Sequence, residues 1–342
     1  MMHELEPMKS YDLVIIGAGS AGLPAAVYAA RFRMHTLVIG ELVGGTITTT
    51  HVVENWPGII SITGWDLMDE LKRHVDVNNV PVLEDRVVEV KKRGELDFLL
   101  KTLGGKEIAA KSVLFATGTT RKKLGIPSEK QFESHGVSYC AVCDGVLFKN
   151  KTVAVIGGSD SAAKEALFLA EHASKVYIIH RGDKIRPEPI NGERVAQNKK
   201  IELMLNRNVL EIYGDKNVKG VKFKEGGDLR LDGVFIEIGA TPNSEIAKKL
   251  GVALNEKNEI IIDVESRTNV GGVYAAGDVA NRHFKQAITG AAEGVVAAFS
   301  AYEYLNSVSL KPTVTENSWG KNGAKNGSGK GGAGKNITSK KK

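Results

Sequence analysis

The strongest constraint on the fold is a unit that occurs twice. Residues 11–16 (YDLVII) form a short apolar run, 17–22 (GAGSAG) a glycine turn, 23–32 an Ala-rich helical stretch, and 36–39 (TLVI) a second apolar run. The same order returns at 152–156 (TVAVI), 157–162 (GGSDSA), 164–173 and 176–179. Strand, glycine turn, helix and strand in that order make a βαβ unit, and such units build parallel sheets with helices on their faces.

A third segment matches neither repeat. Residues 272–276 (GVYAA) read as a strand, Gly277-Asp278 as a turn, and 286–305 as a long Ala-rich helix. An acid between a strand and a helix stands at the carboxyl edge of a sheet, where open α/β folds bind ligands. We read this segment as the completion of the first unit, with the second inserted between its halves. The breakpoints fall near 120–124 and at 240–244 (ATPNS), where Pro and Asn interrupt the pattern. The expected architecture is α/β, with two Rossmann-like nucleotide-binding domains, the second inserted into the first. Residues 11–121 and 245–308 form the outer domain and 122–244 the inserted one, with a short extension at 1–10 and a tail at 309–342.

The chain has 342 residues, enough for two ordinary cores. Its pI near 9.0 suggests a polyanion partner until the charge is located. From Lys311 to Lys342 there are eight lysines and one acid, Glu316, a net +7 against +6 for the whole chain, which leaves the body near −1. A basic nucleic-acid-binding face on the folded part is therefore not expected. The tail (NGAKNGSGKGGAGKN) has almost nothing apolar to bury and reads as disordered. Asn336-Ile337-Thr338 fits a glycosylation triplet, but nothing else suggests secretion. The opening MMHELEPMKS has no apolar core of a signal peptide, and no run is long enough to span a bilayer. A cytoplasmic protein without membrane partners is expected.

Gly17, Gly19 and Gly22 satisfy the dinucleotide fingerprint in its required setting. The first permits the tight turn, the second lets the backbone approach a pyrophosphate, and the third allows helix and strand to pack closely. Glu41 follows Gly22 by nineteen residues, near the spacing at which an acid meets a ribose hydroxyl. Cys140-Ala141-Val142-Cys143 holds the only two cysteines. At i and i+3 on a turn they can close an exchangeable disulfide, and a helix starting there would favour the first thiolate. Half a zinc site or two structural thiols are the alternatives. No second cysteine pair or HxxxH pattern completes a metal site. His51, His135 and His283 are isolated, and Trp56 reads as packing.

With two dinucleotide units, an insertion and CAVCDG inside it, the chain resembles the low-molecular-weight thioredoxin reductases. The likeness runs from about residue 11 to 305. It rests on GAGSAG at 17–22, GGTITTT at 44–50, ENWPG at 54–58, ATG at 116–118, CAVCDG at 140–145, GGSDSA at 157–162, HRGDKIR at 180–186 and YAAGDV at 274–279, in the family's order. High-molecular-weight reductases instead carry CxxxxC just after the first nucleotide motif, where this chain has no cysteine.

The resemblance implies FAD across the outer domain, with Gly277 and Asp278 at its ribityl and pyrophosphate region. Lys285, Gln286 and Ala287 would lie near the isoalloxazine. Gly17, Gly19, Ser20, Ala21, Gly22, Gly40, Glu41, Gly44, Gly45, Thr46, Thr50, Asn55, Val87, Ala116, Thr117 and Gly118 complete the implied FAD contacts. Gly158, Ser159, Asp160, Ser161, His180, Arg181 and Arg186 would meet NADPH or NADH. Cys143 would face the flavin, Cys140 attack a thioredoxin-like protein, and Asp144 relay the proton. A homodimer is also implied.

The family's GGGxxA has glycine where this chain has Ser159, its HRRxxxR has arginine where this chain has Gly182, and its GGQL is replaced by GGTI. His180 supplies no acid for a free 2′-hydroxyl, which leans toward NADP. The expectation is NAD(P)H use with weakened discrimination between the two nucleotides. The alternatives are another donor such as reduced ferredoxin, or a flavin-binding sensor without turnover, which would have no need of CAVCDG.

Overall fold

The computed structural model describes residues 10–309. The expected tail and nearly all of the N-terminal extension lie outside the described residues.

The first repeat folds as β1 (Leu13–Ile16), α1 (Gly22–Arg31) and β2 (Thr36–Ile39), and both strands are buried along their full length. Next come α2 (Gly64–Val77), capped by the Thr63 side chain, and β3 (Val82–Leu83). An antiparallel three-stranded sheet follows: β4 (Val87–Gly94), β5 (Asp97–Thr102) and β6 (Glu107–Ala110). The chain then returns as β7 (Val113–Phe115) to lie beside β1.

A short strand, β8 (Thr119–Arg121), leads into α3 (Pro127–Gln131), β9 (Val137–Ser138) and α4 (Ala141–Asp144). The second repeat is β10 (Thr152–Gly157), α5 (Asp160–His172) and β11 (Lys175–Ile179). It continues through α6 (Pro189–Gln197) and β12 (Ile201–Met204). A second antiparallel sheet is built from β13 (Val209–Gly214), β14 (Val218–Phe223) and β15 (Asp228–Arg230). Then come β16 (Gly233–Glu237), β17 (Ala240–Pro242), α7 (Glu245–Lys249), β18 (Val273–Ala275) and α8 (Ala287–Ser309).

Two parallel sheets organise the molecule, ordered β18-β7-β1-β2-β3 and β12-β11-β10-β16-β9. Strand β18 pairs with β7, although the whole second sheet lies between them in sequence. Among the described residues the chain passes between the two sheets through β8 and β17, which pair antiparallel with Arg121 opposite Ala240. Both sheets bury both faces, which is why their strands read as continuous apolar runs. In the first, Val14, Ile16, Leu37, Ile39 and Phe115 fill one core, and Leu13, Ile15, Val38 and Leu114 the other. In the second, Val153 and Val155 face one core, Ala154 and Ile156 the other. Each fully buried aliphatic side chain contributes about 1.5–3 kcal/mol.

Helix bounds differ modestly from the sequence reading. The final helix begins at Ala287 and runs on to Ser309. Helix α5 starts at Asp160, four residues before the apolar periodicity, because Asp160 is held there by tertiary partners.

Candidate functional site

The redox pair is set by a local turn. Cys140 is the N-cap of α4, and its sulfur accepts the Cys143 N–H at 3.2 Å. The two cysteines form a disulfide with a Cα–Cα distance of 5.3 Å. Ser138 accepts the Cys140 N–H at 3.1 Å and donates to the Asp144 carboxylate at 2.6 Å. One hydroxyl thus fixes both the backbone at the first cysteine and the acid beside the second. Helix α4 packs against the 3-10 turn Thr46–Thr49 of the GGTITTT segment. Cys140 is half-buried, while Cys143 is exposed.

The loop at the carboxyl end of β1 is shaped by its glycines. Gly17 has φ +118°, and a Cβ there would lie 2.1 Å from the Ala116 carbonyl oxygen. A Cβ on Gly22 would lie 1.8 Å from the Gly17 carbonyl oxygen. The turn therefore closes onto β7 on one side and α1 on the other, a cradle that side chains would fill. The Gly44 N–H donates to the Ala18 carbonyl at 2.8 Å, which lays the GGTITTT segment over this loop. Gly40 and Glu41 follow β2, with Glu41 exposed.

Other implied contacts gather at the same edge. Ala116, Thr117 and Gly118 follow β7, and Gly277 and Asp278 follow β18 in a 3-10 turn. Glu293 of α8 accepts the Gly277 N–H at 2.8 Å. Burial raises the Asp278 carboxyl above its usual value, with Lys285 pulling the other way. Lys285 donates to the Asp278 carbonyl at 2.8 Å, and Asn55 donates to Gln286 at 3.1 Å. Ser20 and Ala21 lead into α1, Ala287 opens α8, Thr46 begins the turn under α4 and Thr50 directly follows it. Val87 differs: its side chain is in the core, so only its backbone can serve a ligand.

In the second sheet, Gly158, Ser159, Asp160 and Ser161 occupy the turn from β10 into α5. The 180–188 segment crosses this turn. The Arg186 N–H donates to the Gly158 carbonyl at 2.6 Å, and Asp160 accepts the Glu188 N–H and the Asn191 side chain. Burial pushes the Asp160 carboxyl up, but Lys164 and these donors hold it below its usual value. The His180 ring stands over Gly158 and Gly182: a Cβ would approach it to 2.4 Å at the first and 2.8 Å at the second. Arg181, Lys184 and Arg186 are exposed and make no ion pair among the described residues. Three unengaged cations suit a ribose phosphate, whereas the imidazole narrows the approach to the turn.

Neither Ser138 nor Glu293 stood out in the sequence, since each acts through a partner chosen by the fold. No group of His, Cys, Asp and Glu that could hold a metal occurs among the described residues. His51 packs on Phe168 at 4.6 Å between ring centroids, across the two lobes. No helix among the described residues is long and apolar enough to cross a membrane.

A family model described as pyridine nucleotide-disulphide oxidoreductase matches residues 11–294. Thioredoxin reductase of Listeria innocua is 39% identical over 307 residues, covering 88% of this chain and 95% of its own. Among solved structures, Lactococcus lactis thioredoxin reductase (FR conformation) superposes with a TM-score of 0.84 at 37% identity, covering 87% of this chain and 100% of its own. The Streptococcus pyogenes enzyme, at 35% identity and covering 87% and 99%, superposes with a TM-score of only 0.59.

Proposed function

Because the chain belongs to the pyridine nucleotide-disulphide oxidoreductases, and within them to the thioredoxin reductases, we propose that it reduces the disulfide of a thioredoxin-like protein through Cys140 and Cys143. The observation that carries this reading is the placement of α4, which holds the disulfide and rests on the Thr46–Thr49 turn beside the glycine cradle. FAD, when bound in that cradle, supplies an electron pair taken from a nicotinamide. Every other part of the chemistry falls to side chains of this chain.

Cys140, half-buried at the start of α4, is the attacking thiol, with the Cys143 N–H directed at its sulfur. Its thiolate attacks one sulfur of the partner's disulfide, and the other partner sulfur leaves and takes a proton. Cys143 then attacks Cys140, releasing the second partner sulfur and restoring the Cys140–Cys143 bond. Two electrons and two protons have passed to the partner. Asp144, oriented by Ser138, is the group placed to hold and deliver a proton during the exchange. We place Gly17 to Gly22, Gly44 to Thr50, Asn55, Ala116 to Gly118, Asp278 and Lys285 to Ala287 around FAD. The same reading gives a cytoplasmic homodimer.

The test is a single turnover. Protein loaded with FAD and reduced by dithionite is mixed with oxidised thioredoxin, and partner thiols are counted. Stoichiometric transfer, lost in Cys140→Ser, is expected; transfer undiminished in that variant overturns the reading.

For the donor, Arg181, Lys184 and Arg186 support NADPH or NADH with weakened discrimination. The His180 ring over Gly158, with Ser159 beside it, favours a second reading in which reduced ferredoxin feeds the flavin. Anaerobic mixing with each nucleotide separates the two. Flavin bleaching by both supports nicotinamide use, bleaching by NADPH alone refutes the weakened discrimination, and bleaching by neither leaves ferredoxin.

A further inference from the structure

A second carboxyl, unused in the chemistry above, lies beside Cys140. Glu165 is on α5, the helix against which α4 packs, and its side chain is only 12% exposed. One of its oxygens accepts from Arg121 Nη1 at 3.1 Å. The Ala141 N–H, next in the chain after Cys140, is directed at the same carboxyl. Oε2 is nevertheless left buried without a hydrogen bond of good geometry. The same Arg121 nitrogen is also paired with Glu237, which is 8% exposed at the end of β16. Arg121 ends β8, so this cation comes from the ribbon that joins the two sheets.

Two buried carboxylates therefore share one guanidinium. With both ionised, the cluster would bury a net negative charge and two oxygens, Glu165 Oε2 and Glu237 Oε1, that lack a hydrogen bond of good geometry, which costs more than retaining a proton. Burial lifts the Glu165 carboxyl to about 7, although Arg121 and the Ala141 N–H pull it down. Other cations on the packed elements are engaged elsewhere: Lys164 with Asp160, Lys175 with Glu202, and Arg194 with Glu54. The remaining charged or titratable groups there are Asp144 on α4, Glu171 and His172 on α5, Tyr177 on β11, and Glu193 on α6. None of these adds an ion pair to the Arg121 cluster.

We infer that Glu165 is a proton-holding positioning residue for Cys140, whose charge, set by Arg121 and Glu237, governs how readily the Cys140 thiol ionises. When the carboxyl is neutral, a thiolate on the adjacent residue meets no like charge. When it is ionised, the thiolate is opposed and the Ala141 peptide is drawn toward the carboxylate. Since Arg121 sits on β8, a twist of the ribbon also changes the surroundings of Glu165. The inference rests on the proposed function only in taking Cys140 as the attacking thiol.

The chain has only two cysteines, so Cys143→Ser leaves Cys140 as its sole thiol. The FAD-loaded Cys143→Ser protein is alkylated with iodoacetamide from about pH 5.5 to about pH 9.5, spanning carboxyl and thiol ionisation. The rate profile should show the thiolate rise together with a separate bend near 7. Adding Glu165→Gln should remove the bend and lower the thiol inflection by about one pH unit, a roughly tenfold faster reaction below it. Glu165→Asp should restore a bend, and Arg121→Gln should move it to higher pH. A profile unchanged by Glu165→Gln overturns the inference. If that variant does not fold with FAD, a bend unmoved by Arg121→Gln overturns it instead. Loss of transfer to thioredoxin with the two-step profile intact would count against the proposed function and leave the role of Glu165 standing.

Discussion

Two single methyl groups separate what the first glycine loop does for the fold from what it does for the flavin. On Gly22 a Cβ would stand 1.8 Å from the Gly17 carbonyl oxygen, about 1.6 Å inside ordinary contact. Helix α1 must then withdraw from β1, at a cost of about 1–3 kcal/mol, typical of overpacking. On Gly19 the nearest atom would be the Gly45 Cα at 3.6 Å, an ordinary contact. That methyl strains nothing in the flavin-free chain, but it occupies the approach expected of the pyrophosphate. Gly22→Ala should lower the urea midpoint of flavin-free protein, while Gly19→Ala leaves it within about 0.5 kcal/mol of the parent. Both should weaken FAD, Gly19→Ala by about 10- to 100-fold, or about 1.4–2.8 kcal/mol. Urea titration of stripped protein and FAD titration by flavin fluorescence read the two quantities. Equal destabilisation by both variants, or parental FAD affinity in Gly19→Ala, would refute the reasoning.

The cysteines should separate spectroscopically: Cys140→Ser keeps FAD and shows a long-wavelength charge-transfer band from Cys143 thiolate, and the same band from Cys143→Ser instead would reverse the assignment. The inserted lobe should rotate on β8 and β17, because the disulfide must meet the flavin in one step and a protein in another. Cross-linking Arg194 to Glu54 positions through introduced cysteines, where an ion pair of 2.6 Å now spans the lobes, should stop turnover yet spare one half-reaction; full turnover of the cross-linked protein refutes rotation. For pH, burial pushes the Glu259 carboxyl up but Lys285 and Asn255 hold it below its ordinary 4.5. Its stabilisation is therefore present above that ordinary value and lost as pH falls through the lower folded value. Lys285→Met should cost most stability near neutrality, the gap to the parent narrowing in acid; a gap constant with pH refutes the linkage.

Much of the site was legible because local chemistry dictated it. Gly17 and Gly22 are required by backbone approaches within a few residues or to the neighbouring strand, and Cys140 and Cys143 need only a single turn to meet. Strands 13–16 and 152–157 declared themselves by apolar runs that both faces of a covered sheet demand. The antiparallel sheets β4-β5-β6 and β13-β14-β15 escaped notice, since their alternating, half-exposed strands carry weak signals beside the buried parallel ones.

The sequence by itself determined the two glycine turns and the cysteine pair that closes on one turn, because each is a property of neighbouring residues. Only the tertiary structure decided that β18 pairs with β7, that α4 rests on the Thr46–Thr49 turn, and that His180 covers Gly158. It alone brought Arg121, Glu165 and Glu237 onto one guanidinium. Those three come from a crossing strand, a helix and a sheet edge with no common period, so the electrostatics of the redox pair arise from packing between elements that no local pattern announces.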